Sequence, residues 1–122
     1  MKIYRAQDLK TEPRERFSLG ILGEVSLPKN VSTIGFFRPA VPANGRLRNH
    51  LHEEVIEFMF FLEPAQIKSG VETFDISPGD MVMISPGEPH EVLAGRSGNT
   101  PLVIKVPNNP KDVKVPPLEK HG

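Results

Sequence analysis

The sequence predicts an all-β fold, a sandwich or barrel of short strands. Thirteen prolines and ten glycines interrupt the chain every several residues. No stretch between them holds a helical apolar period for the three turns a helix needs. The intervals are instead short segments rich in β-branched and aromatic residues, the types that fit a pleated, half-buried surface. At 122 residues the chain is expected to be one domain, residues 1–122, large enough to bury a core without disulfides.

A short helix is expected near residues 6 to 10. The strand candidates that follow are FSLGILGEV, VSTIGFFR, EVIEFMFFL, AQIKSGVETFDI, DMVMIS, HEVLA and PLVIKV. Ser69-Gly70 splits AQIK from VETFDI as a hairpin turn. SPGD at 77–80 and SPGEP at 85–89 carry the Pro-Gly pair of tight turns, so three strands are tied in sequence. The tail from Pro107 to Gly122 holds four prolines among charged residues. It cannot donate regularly to a ladder, and the expectation is that it wraps the barrel or frays.

Several function classes are disfavoured at once. The chain has no cysteine, which excludes disulfides and thiolate metal sites, so any metal must be held by nitrogen and oxygen. Fifteen basic residues balance fifteen acidic ones, and no overall field draws the protein onto nucleic acid or an anionic membrane. The segment MKIYRAQDLK lacks an apolar signal region, and no apolar run is long enough to span a bilayer, so the expectation is a soluble, cytoplasmic protein.

The chain has four histidines, and two of them, His50 and His52, stand one residue apart in NHLHEEVIEF. A strand's period of two places them side by side on one face, where two imidazoles can share a metal ion. Alone, such a pair reads more readily as exposed surface histidines. Glu57 adds weight to the metal reading. Alternation through VIEFMFFL groups Glu57 with Met59 and Phe61, and a carboxylate on such a face needs a partner, either a metal or a core arginine such as Arg46 or Arg48. His90 opens the strand HEVLA and shares its face with Val92 and Ala94.

These residues resemble the cupins. The first cupin motif reads here GRLRNHLHEEVIE, from Gly45 through His50 and His52 to Glu57; the second reads GDMVMISPGEPH, from Gly79 through Gly87 to His90. From Gly45 to His90 they span rather more than a third of the chain. Pro64 stands where the first motif usually ends in glycine, and Ser85 where the second usually has proline; neither position carries a ligand. The resemblance implies a cupin-type antiparallel β-barrel, a double-stranded β-helix or jelly roll. It also implies one divalent transition metal ion near the barrel centre, bound by His50, His52, Glu57 and His90. Three imidazoles and a carboxylate suit iron, manganese, nickel, cobalt, copper or zinc. Glu53 and Glu54 are then turn residues.

If alternation runs back from His50 without a bulge, Arg48 and Arg46 share its face and form a substrate-binding site for a small organic acid or a phosphorylated compound. One bulge reverses that parity and leaves both in a solvated connection. The apolar face bearing Phe58 and Phe60 needs a second sheet or another subunit, and together with FFR at 36–38 it points to a homodimer. The expected function is a metal-dependent enzyme, an oxygenase, an isomerase or another Lewis-acid catalyst, acting on a small-molecule substrate. The alternatives are a binding or sensing module without turnover and a barrel merely stabilised by its metal. Acid/base equipment is sparse: Glu88 reads as a solvated turn acid, and Tyr4, the only tyrosine, lies far from the motifs.

Overall fold

The computed structural model describes residues 1–115. Eleven strands alternate with turns: β1 Lys2–Tyr4, β2 Lys10–Pro13, β3 Ser18–Ile21, β4 Gly35–Phe37, β5 Arg46–His50, β6 Ile56–Phe60, β7 Ala65–Ser69, β8 Glu72–Ile76, β9 Met81–Ile84, β10 His90–Ala94 and β11 Leu102–Val106. The expected helix is a single 3-10 turn, Ala6–Asp8. It has no buried residue to hold further turns on the barrel.

All strand pairings are antiparallel. One sheet runs β1-β9-β6-β11-β4, the other β5-β10-β7-β8, and β2-β3 is a separate two-stranded ribbon. Both SPG turns have the same construction. Asp80 N–H donates to Ser77 and Glu88 N–H to Ser85, with proline second and glycine third at positive φ, 89° at Gly79 and 84° at Gly87. That is the residue demand of a type II turn.

The alternation read in VIEFMFFL holds. Glu57, Met59 and Phe61 are buried, and the register aligns Met59 with Val82 on one side and Val103 on the other. The second sheet contributes Ala65, Ile67, Ile76 and Val92 to the same core, with Leu47 and Phe74 packed against it. The core thus fills the gap between two sheets, as the inward residues of a β-sandwich or small barrel do. Phe58 and Phe60 point to the outer face, where Phe36 is 67% exposed. No helix among the described residues is long and apolar enough to cross a membrane.

The first part of the proline-rich tail is held against the barrel. Leu51 and Lys114 exchange two main-chain hydrogen bonds, each of 2.9 Å. The carboxylate of Asp112 accepts from the N–H groups of Glu53, Glu54 and Val55 at 2.8, 2.8 and 2.9 Å. Residues 116–122, the rest of that tail, lie outside the described residues.

Candidate metal centre

His50, His52, Glu57 and His90 converge between the two sheets. His50 closes β5 and His90 opens β10, where the two are direct cross-strand partners. Glu57 faces them from β6 of the other sheet, and His52 comes from the loop that crosses between the sheets. The two sequence motifs also touch directly: Gly87 of the SPGEP turn donates its N–H to the carbonyl of His52 at 2.6 Å. Ring centroids lie 4.2 Å apart for His50 and His90, 5.0 Å for His50 and His52, and 5.4 Å for His52 and His90. His52, His90 and Glu57 are 2%, 1% and 4% exposed, and His50 is half-buried.

Every imidazole is anchored through Nδ1. His50 donates to the carbonyl of Arg48 at 2.7 Å, His52 to that of Asp112 at 2.5 Å and His90 to that of Glu88 at 3.0 Å. A carbonyl can only accept, so each Nδ1 carries hydrogen, and in the neutral ring Nε2 keeps a free lone pair. Nε2 of His52 and of His90 lie 2.8 and 3.1 Å from the same carboxylate oxygen, Oε2 of Glu57. Acceptors that meet in this way need a proton or a metal cation between them. Neighbouring ligands around an ion with bonds of about 2.1 Å stand about 3.0–3.4 Å apart; the His90–Glu57 separation falls in that range and the His52–Glu57 separation just below it. The ligand atoms of all four residues lie within 4.8 Å of one another. The donor set therefore fits a metal ion, and the backbone carbonyls supply the outer contacts that fix ligand orientation.

Charge is distributed to match. In the metal-free protein, where a proton takes the cation's place at Nε2, burial pushes the Glu57 carboxyl up, but hydrogen bonds from His52 and His90 outweigh it and hold Glu57 ionised far below the usual carboxylate range. The Glu57 hydrogen bond raises His52 against the opposing effect of burial. Burial lowers His50 and favours its neutral form.

Comparison with solved structures identifies the architecture. A cupin 2 conserved barrel domain protein from Salinispora arenicola superposes with a TM-score of 0.54 at 15% identity, over 69% of this chain and 71% of that one. This is the cupin fold. The DMSP lyase DddQ from Ruegeria pomeroyi matches with a TM-score of 0.60 at 21% identity, over 68% of this chain, which spans only 43% of the lyase's length. The polyketide cyclase RemF from Streptomyces resistomycificus matches with a TM-score of 0.59 at 22% identity, over 98% of this chain and 88% of that one. No protein-family model and no curated protein sequence matches the chain.

On this cupin barrel Arg46 and Arg48 do not stand as the bulge-free reading expects. The register slips between the pairs His90–His50 and Val92–Leu47, so two residues of β5, Arg48 and Asn49, oppose Glu91 alone. The slip reverses the parity and puts Leu47 on the face of His50. Arg46 aligns with Leu93 on the other face, 65% exposed and 3.5 Å from the Glu91 carboxylate. Arg48 is exposed at the bulge. Glu88 is half-buried rather than a solvated turn acid, and it pairs with the Met1 amino group at 2.5 Å.

Two residues near the site were not singled out from the sequence. Asp112 holds the 53–55 loop and His52, sixty positions away in the chain for the His52 contact. Lys105 stands beside Glu57 on the inner face of the sheet, its direct partner across β6 and β11. A lone lysine within PLVIKV, in phase with Val103, was the available signal for the second; nothing local marks the first.

Proposed function

We propose that the protein is a metal-dependent enzyme acting on a small, oxygen-bearing, anionic molecule, with one divalent transition metal ion held by His50, His52, Glu57 and His90. The observation that carries this reading is the convergence of three Nδ1-anchored imidazoles on one ionised, buried carboxylate. Such an ion supplies Lewis acidity or a redox centre, and four protein ligands leave positions open in a five- or six-coordinate shell. The three imidazoles remain neutral ligands with their lone pairs directed inward. Glu57 offsets part of the ion's charge and is spoken for as a ligand, so it does not serve as a base. Val55, Met59 and Phe61, near Glu57 in the chain, are buried apolar residues.

Glu88 binds the Met1 amino group through Oε1, its buried Oε2 meeting no hydrogen-bond partner among the described residues, and Tyr4 packs beneath Lys2 and against Gly23. With Glu57 taken as a ligand and Tyr4 packed away, the reading favours chemistry driven by metal polarisation. The lyase and cyclase names of two structural neighbours lean the same way. Arg48, exposed and without a carboxylate partner among the described residues, is the arginine we retain as an outer contact for an anionic substrate; Arg46 is committed to Glu91. The outer apolar face around Phe36, Phe58 and Phe60 supports a homodimer, and a monomeric mass in solution would rule that out. A cytoplasmic location accompanies this reading.

Turnover is the test. The metal-loaded protein is incubated with a panel of small carboxylates and phosphate esters, with substrate loss and oxygen uptake followed. Loss of a substrate that stops in a His52→Ala variant supports the enzyme. Saturable binding with no turnover of any member moves the reading to a binding or sensing module.

A further inference from the structure

The inner face of the five-stranded sheet carries a row of four aligned residues, Ile84, Glu57, Lys105 and Gly35 on β9, β6, β11 and β4. Direct cross-strand partners project to the same side, with Cβ atoms about 5 Å apart. In β11 Val103 is buried on that face and Lys105, next along it, is half-buried; Val106, of the opposite phase, is buried at the strand's end. A central strand is an unusual place for an ammonium. Lys105 is half-buried, and among the described residues its charge meets no carboxylate within salt-bridge distance, not even Glu57 beside it. Its Nζ instead lies 5.3 Å from the centroid of the Phe37 ring, which is 41% exposed at the sheet edge.

Gly35 explains why the lysine turns that way. The space that a side chain at Gly35 would take is filled by the Phe37 ring edge and the Asn108 amide oxygen, at 2.6 and 2.7 Å from the Cβ position. Lys105 thus stands in register between Glu57 and this filled position.

We propose that Lys105 is the cation that receives the negative group of the substrate, a small carboxylate or phosphate, while an oxygen of the same molecule reaches the metal centre. The inference rests on the metal reading above and names the substrate class for that site. The physical reason is that a partly desolvated ammonium without an internal counterion gains most from an anion brought to it. Glu57 does not satisfy that role, because its charge is directed at the imidazoles. Lys105 is a substrate-binding residue here, and the arginines of β5 lie further out.

The experiment compares wild type, Lys105→Met and Lys105→Arg, each loaded with zinc and titrated with oxalate and with inorganic phosphate by calorimetry. The expected result is binding of at least one anion to wild type, a loss of about 10- to 100-fold in Lys105→Met and substantial rescue in Lys105→Arg, with zinc stoichiometry equal in all three. Equal anion affinity in wild type and Lys105→Met overturns the proposal. So does equal weakness of the Met and Arg variants, loss of zinc from Lys105→Met, or no binding of either anion to wild type. If wild type takes up no zinc, the metal reading falls by itself. The same titrations followed by amide shifts in the metal-free protein then decide the role of Lys105.

Discussion

The main-chain carbonyl of Asp112 lies 2.5 Å from Nδ1 of His52, so a residue of the C-terminal segment sets the tautomer of a candidate metal ligand. The Asp112 side chain holds the same loop by accepting three consecutive N–H groups. Those bonds keep its carboxyl ionised below the usual range despite the opposing effect of burial. Asp112→Ala is expected to reduce metal affinity by about 10- to 100-fold. It should also cost about 1–3 kcal/mol of stability, because the N–H of buried Val55 loses its acceptor. Competition with a chelator and thermal unfolding measure the two effects. Lys114→Ala, which removes only the exposed pair with Glu53, should change neither appreciably.

Ile67 is fully buried on β7, facing the Met59 and Val103 layer of the opposite sheet. Ile67→Ala should destabilise the protein by about 2–5 kcal/mol, the transfer cost of the lost methyl groups plus that of the cavity left between the sheets. Chemical denaturation would show it as a lower midpoint with an unchanged slope. Exposed Val71, in the β7-β8 turn, serves as the control, and Val71→Ala should lie within about 0.5 kcal/mol of wild type.

The His52–Glu57 pair gives the metal-free protein a defined pH response. His52 is raised above its ordinary 6.5, so its contribution is fully present below that pH and is lost as pH rises through the raised value. Glu57 is lowered from 4.5, so its contribution is present above that pH and is lost as pH falls toward the lowered value. His50 runs the other way: burial lowers it, so its protonation below 6.5 opposes folding. Comparison with Glu57→Gln isolates the pair. The stability gap between wild type and variant should be widest between pH 4.5 and 6.5 and should narrow above that window. Thermal midpoints of the two metal-free proteins across pH 5 to 8 measure it, and a gap independent of pH would contradict the assignment.

Much of the barrel was legible in the sequence from local periodicity, and the four-residue cluster from the resemblance to the two cupin motifs. The two-residue spacing of His50 and His52, the phase of Glu57 with Met59 and Phe61, and the Pro-Gly turn before His90 are each set within a few residues. Where a neighbouring strand decides, the sequence was silent. The bulge opposite Glu91 depends on how β5 meets β10, and it moves Arg46 off the expected face. Strands β1 and β2 went unread as separate elements: β1 is short, and KTEP carries a single β-branched residue, Thr11. FSLGILGEV shrinks to Ser18–Ile21 and VSTIGFFR to Gly35–Phe37, since only those residues find ladder partners. Asp112 depends on chain folding across some sixty residues and has no signature in composition or spacing.

The central claim, that the His50, His52, Glu57 and His90 cluster binds a transition metal, is tested most directly by elemental analysis of protein expressed without a histidine tag, beside a His50→Ala, His52→Ala double variant. The structure predicts near-stoichiometric iron, manganese, nickel, cobalt, copper or zinc in the wild type and little in the variant. Empty wild-type protein that also fails to take up any of these ions when they are supplied, or equal metal in both proteins, would contradict the account.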